Sequence, residues 1–279
     1  MPRLLVINAD DFGLAPGVNR GIIEAHDAGT LSSASMMVNT PAFTEAVSLA
    51  HSRRPRLGVG LHLNLVAGRP LTDVPSLTDA RTGDFFPLAE LARRALSGRV
   101  RADDVRRECD AQLRALAAAG IIATHLDSHR HAHALPGVLP AVAASAYEAG
   151  LHWVRRPLDR PSLREPVASA KILMLHAAWR RALVGVDHAH LPLLARAPYF
   201  RGISLQGAAD VENRLLHLLD RLPPGPTELM LHPGYDDPTL AGQDPYRHER
   251  EREVAALRSP AVRARLGRGD IRLVSFAEL

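Results

Sequence analysis

The sequence predicts an α/β protein with a (β/α) barrel-like fold, and three observations carry that expectation. Short apolar runs alternate along the chain with stretches whose apolar residues recur at helical spacing, the pattern of parallel β/α units. Several of those runs stop at a carboxylate or a histidine, as strand tips do when they converge on the rim where sheets and barrels build their sites. The 279 residues, 46% of them hydrophobic, suffice for one sizeable core. The expectation is therefore a single domain over residues 1–279, a barrel that is allowed to be distorted.

In chain order, strands are expected near residues 3–8, 33–38, 57–63, 124–128, 152–155, 203–205, 227–232 and 271–275. Helices are expected over 17–28, 41–52, 102–119, 136–149, 168–184, 210–221 and 246–258. The first strand is the continuous apolar run Leu4-Leu5-Val6-Ile7, as expected for a strand covered on both faces. In the third, Val59, Leu61, Leu63 and Leu65 fall on one face and His62 and Asn64 on the other, the alternation of an extended chain. Ala67 to Val100, rich in Pro, Gly and Asp, reads as a long loop insertion after the third strand, a lid or substrate loop. Late in the chain Leu229-Met230-Leu231 stops at His232, which Pro233 restricts to an extended conformation before Gly234 turns the chain. From Ala168 to Val184, Ile172, Leu175, Trp179 and Leu183 form a stripe beside Lys171, Arg180 and Arg181. That stretch reads first as a helix packed on the barrel and second as a surface for an anionic sugar or a membrane.

Two patterns point to chemistry. Asn8-Ala9-Asp10-Asp11-Phe12-Gly13 brings two adjacent carboxylates off a strand end. Their repulsion suggests a cation or shared catalytic work, although a turn capping the next helix would use the same residue types. In Thr124-His125-Leu126-Asp127-Ser128-His129-Arg130-His131-Ala132-His133, every second residue from 125 is His or Asp, and extended geometry would line one face with imidazoles and a carboxylate. Two His and one carboxylate from separate strand ends are a common way to hold a divalent metal with positions open to water and substrate. His26, His51, His152, His176, His188, His190, His217 and His248 lack such context and read as structural or surface residues.

Composition narrows the classes. Cys109 is the only cysteine, so neither an intramolecular disulfide nor a cysteine metal site is available. The formal charge is +4, and Lys171 is the only lysine among 34 basic residues. The arginines, in pairs such as Arg155-Arg156 and along Arg250 to Arg268, lack the interleaved aromatics of a single-strand binder. They read as solvated helix faces, with no nucleic-acid partner. The apolar stretch before Asp10 is too short for a signal peptide or a membrane span, so the expectation is a cytoplasmic protein.

The segments Asn8 to Gly13, Gly60-Leu61-His62, Thr124 to His133 and Leu231-His232-Pro233, in this order, resemble the YdjC-like carbohydrate deacetylases, which include the chitooligosaccharide deacetylases. The resemblance implies a barrel-like fold and metal-dependent hydrolysis of N-acetyl groups on amino sugars, an oligosaccharide or a glycolipid headgroup. It places Asp11, His62 and His129 on the metal ligands, Asp10 on the base and His232 on the acid. One divalent ion is expected, Mg or Zn first, with Mn, Co and Ni as alternatives. Asp127 would orient a metal-bound imidazole, and His125, His131 and His133 would line the pocket or bond to the other imidazoles. Residues 157–200 match least, where a substrate pocket would vary. A phosphoesterase built from the same ligands and an inactive carbohydrate-binding relative are the competing functions, and a homo-oligomer is compatible with all three.

Overall fold

The computed structural model describes residues 2–53, 55–162 and 165–279. Strand β1 (Arg3–Phe12) leads into helix α1 (Pro16–Asp27), followed by β2 (Ser33–Met36), α2 (Phe43–His51) and β3 (Gly58–Leu63). Then come α3 (Leu88–Leu96), α4 (Ala102–Ala118), β4 (Leu126–Ser128), a 3-10 stretch (His129–Ala134) and α5 (Leu139–Glu148). The chain continues through α6 (Pro166–Leu183), α7 (Leu191–Ala195), β5 (Tyr199–Arg201), α8 (Val211–Asp220) and β6 (Thr227–Leu231). It ends with α9 (Pro238–Ala241), α10 (His248–Arg258), α11 (Pro260–Leu266), β7 (Ile271–Leu273) and a last 3-10 turn. The helices form where apolar spacing dictates: Val105, Cys109, Gln112 and Leu116 bury one face of α4, and Val211, Leu215 and Leu219 one face of α8. Pro16 opens α1 at a position where no intrahelical N–H is lost.

The strands pair in parallel in the order β4-β3-β2-β1-β6-β5, with β7 also against β1. Three strand spacings of a flat sheet would put β4 roughly 14 Å from β1. Arg155 nevertheless reaches Asp10 of β1 at 2.6 Å, Asp127 of β4 at 2.5 Å and Glu228 of β6 at 2.7 Å. The sheet therefore curls around one guanidinium into a half-barrel. The main apolar core lies between the sheet and its helices, whereas the concave side is largely polar, with Val6, Val274 and Phe276 as an apolar floor. Gly60 leaves room there for His125: a Cβ would lie 2.4 Å from its ring.

Several expectations need correcting. The strand expected at 152–155 is a single bridge of Val154 to Leu126. The strand expected at 203–205 lies earlier, at Tyr199–Arg201, because Asp159 takes the N–H groups of Gly202 and Ile203 and Gly202 has φ 129. The first strand runs on to Phe12. The connection from Ala67 to Val100 is not an open loop: it contains an antiparallel bridge, Thr78 to Phe85, and all of α3. Buried acids of α4 also stitch it down, Glu108 accepting from the N–H groups of Leu71 and Thr72 and Asp104 from that of Ser76. In α6, Ile172 and Trp179 face inward, while Val167, Leu173 and Met174 are exposed, as is Val184 just beyond it. Among the described residues, no helix is long and apolar enough to cross a membrane.

Candidate active site and metal centre

The site begins with an irregularity in β1. Its pairing with β2 slips between Ala9 and Phe12, and Asp11 has φ 71, a left-handed conformation uncommon for a residue with a side chain. A regular strand would send Asp10 and Asp11 to opposite faces. The slip turns both into the mouth of the half-barrel.

Asp11 Oδ1 stands 3.1 Å from His62 Nε2 and 2.7 Å from His129 Nδ1. All three side chains are buried, and their donor atoms gather closely enough for the group to hold one ion. His62 is fixed from behind, because its Nδ1 lies 2.7 Å from Asp127 Oδ1. With Nδ1–H given to the carboxylate, Nε2 is the ring atom turned toward Asp11, and it is the one that would give up its proton to a bound ion. Burial disfavours a charged His62, yet Asp127, Asp10 and Asp11 outweigh it and raise the group to about 10. Burial also opposes ionisation of Asp11, but His129 and Arg250 hold its carboxyl well below the usual range. This set of one carboxylate and two imidazoles fits a divalent ion.

Asp10 belongs to a second group. Its two oxygens accept from the two terminal nitrogens of Arg155 at 2.6 and 2.7 Å, and Asn8 donates to it at 3.0 Å. Arg155 also serves Asp127 and Glu228. Burial raises Glu228 to about 7 despite that guanidinium. His232 directly follows β6, with Nε2 3.9 Å from Asp10 Oδ2. Burial pushes its imidazole down to about 3 against the pull of Asp11, so it is neutral at rest.

The histidine tract does not keep the alternation expected of it. The extended chain ends at Ser128; Arg130 and His131 then adopt left-handed angles (φ 55 and 56), and the Ser128 hydroxyl accepts the His133 N–H. His125 sits on the concave floor, its ring stacked on Phe276 at 4.0 Å and its Nε2 3.0 Å from the hydroxyl of Ser35, which donates to Asp127. Its link to the metal site is indirect. His133 bonds Ser128 and the carbonyl of Arg155, so it braces the backbone beneath the guanidinium. His131 packs against Phe200 edge to face at 5.7 Å, and its buried Nδ1 has no partner among the described residues. Burial pushes His125 and His133 down to about 4 and His131 well below the usual imidazole range.

Reading the arginines as solvated faces missed two that are fully buried. Arg155 is one. Arg250 of α10 is the other, with one nitrogen 2.7 Å from both Asp11 Oδ2 and Asp244 Oδ2. A clue was available in Thr227-Glu228-Leu229-Met230-Leu231: a carboxylate inside an apolar strand needs a buried cation. Nothing comparable marked Arg250, which sits in a highly charged stretch.

Comparison with known proteins identifies the family. The family model described as YdjC-like protein matches residues 4–268. A carbohydrate deacetylase of Geobacillus stearothermophilus is 37% identical, covering 100% of this chain and 98% of that protein. A chitooligosaccharide deacetylase of Yersinia pestis is 34% identical over the whole of both chains. Among solved structures, a proposed cellobiose-phosphate cleavage protein of Enterococcus faecalis V583 superposes with a TM-score of 0.76 at 28% identity, covering 100% of this chain and 99% of the other.

Proposed function

Because the chain belongs to the YdjC-like family, we propose that it removes the N-acetyl group of an amino sugar, as a metal-dependent hydrolase that releases acetate. The observation that carries this reading is the meeting of Asp11, His62 and His129 in one buried cluster beside the Asp10 and His232 pair. Asp11, His62 and His129 would hold one divalent ion, Mg or Zn first, with Mn, Co and Ni also served by mixed oxygen and nitrogen donors. Bound there, it would acidify a water and polarise the acetyl carbonyl.

Within that site Asp10 takes the proton of the attacking water, its carboxylate held at one angle by Arg155. His232 is neutral at rest, so it cannot arrive carrying the proton that its ordinary pKa would supply. The proton it passes to the departing nitrogen would come from Asp10, 3.9 Å away, through one bridging water or after the two groups draw within hydrogen-bond reach around the substrate. The water's proton then ends on the amine and its oxygen in acetate. A soluble oligosaccharide and a glycolipid headgroup are the two substrate forms, and the work is that of one cytoplasmic domain.

Acetate release from N-acetylglucosamine oligomers and from an N-acetylated glycolipid, with p-nitrophenyl phosphate as the phosphoesterase control, tests the reading. The expected result is acetate with no phosphatase activity, and His62→Ala should lose both bound metal and turnover. Phosphate release without acetate would overturn it.

A further inference from the structure

His232 has an unusual support for a residue that must aim a proton. Neither of its ring nitrogens has a hydrogen bond among the described residues, and Asp10 Oδ2 stands 3.9 Å from its Nε2. The ring's direction must come from its backbone and its packing, which α10 and Tyr246 just ahead of it supply. Glu253, 1% exposed, accepts the His232 N–H through Oε2. Its Oε1 accepts from the Tyr246 hydroxyl at 2.5 Å, and that hydroxyl accepts the Gly207 N–H at 2.8 Å. The Tyr246 ring meets the His232 ring edge-on, with centroids 5.7 Å apart. One turn earlier on the same face, Arg250 holds Asp11 Oδ2 and, through Nε, the Tyr246 carbonyl at 2.7 Å. A single helix thus grips a metal-ligand candidate with one side chain and the proton donor's backbone with another.

We propose that Glu253, braced by Tyr246, is a positioning residue that sets His232 against the leaving nitrogen. The proposal rests on the reading that His232 delivers that proton. A carboxylate that merely satisfied a buried N–H would affect all substrates alike. A positioning role acts only where the leaving group needs protonation.

The experiment compares Glu253→Ala, Glu253→Gln and Tyr246→Phe on an N-acetyl amide and on an activated acetate ester whose leaving group needs no proton. Glu253→Ala should lower amide turnover about 10- to 100-fold, with KM and ester turnover within about threefold of wild type. Glu253→Gln keeps an acceptor for the His232 N–H and should restore amide turnover to within about threefold. Tyr246→Phe keeps the ring, loosens the carboxylate and should fall between them. Equal losses on amide and ester, or a glutamine variant as poor as the alanine one, would overturn the proposal. If Glu253→Ala does not fold, Tyr246→Phe decides by the same amide-to-ester ratio. Hydrogen exchange of the His232 amide needs no substrate and should quicken at least about tenfold in Tyr246→Phe but not in Glu253→Gln. Absence of acetate release by the wild type would thus defeat the deacetylase reading and leave the clamp still open to refutation, by unchanged exchange.

Discussion

Replacing Asp127 by asparagine changes only an oxygen to an amino group, yet the surroundings leave the amide no good orientation. Asp127 accepts from three sides: its Oδ1 faces His62 Nδ1 at 2.7 Å, and its Oδ2 takes the Ser35 hydroxyl at 2.7 Å and Arg155 at 2.5 Å. With its oxygen toward His62, the asparagine turns its NH2 on a guanidinium and on a hydroxyl that was donating. With its NH2 toward His62, Nδ1 must become an acceptor, and the ring proton moves to Nε2, the atom that faces Asp11. The first orientation strains a buried network and the second removes a ligand. Loss of such outer support typically costs 10- to 100-fold in metal affinity, about 1.4–2.8 kcal/mol. Calorimetric titration of metal-free Asp127→Asn with Zn and Mn should show that weakening, while circular dichroism shows the fold intact. An affinity within about twofold of wild type would refute the claim that Asp127 sets the His62 tautomer.

Other expectations follow from single contacts. Asp10→Asn should keep the metal and lose about 10²- to 10⁴-fold in turnover, read by metal analysis beside acetate release. Gly60→Ala places a methyl 2.4 Å from the His125 ring and 2.5 Å from its carbonyl, and urea denaturation should show a loss of about 2–3 kcal/mol or more. Glu228 has its folded value raised from 4.5 to about 7, so its burial is tolerated below pH 4.5 and costs stability as pH rises to 7, the unfolded chain ionising first. Glu228→Gln should therefore gain on wild type by on the order of 3 kcal/mol across that window, read from denaturation at each pH. Burial lifts the Cys109 thiol to about 12, so iodoacetamide at pH 8 should label it only in denaturant.

The residues whose chemistry shows in their immediate neighbours were the legible ones. Asp11, His62 and His232 each stand at the end of an apolar run, and strand periodicity sufficed to put them on one rim. Periodicity failed where the backbone leaves regular geometry. No count of alternation reveals that β1 slips between Ala9 and Phe12 or that Arg130 and His131 turn left-handed, so the way Asp10 and Asp11 both turn inward was not legible and the continuous face expected of the histidine tract gave way. The expected lid was misread for another reason. Pro, Gly and Asp mark turns, but whether a turn-rich segment is loose depends on partners far away in sequence, and Glu108 and Asp104 of α4 are such partners. Arg155 and Arg250 were hidden by composition: in a chain with so many arginines, buried ones look like the rest.

Those two arginines explain how adjacent, chemically identical carboxylates come to differ. Buried ion pairs are poor sources of stability, because desolvation offsets much of the attraction; what they fix is geometry. Asp10 presents both oxygens to Arg155, an arginine that follows the Val154 bridge and is itself braced by His133. Asp11 gives one oxygen to Arg250 of α10 and turns the other to His62 and His129. Had one guanidinium served both, a shift in either carboxylate would have moved the other. Separate cations from separate elements let Asp11 meet an ion's demands while Asp10 keeps its distance from His232. The slip in β1 is what makes this division available, since it brings both side chains inward without making them share a partner.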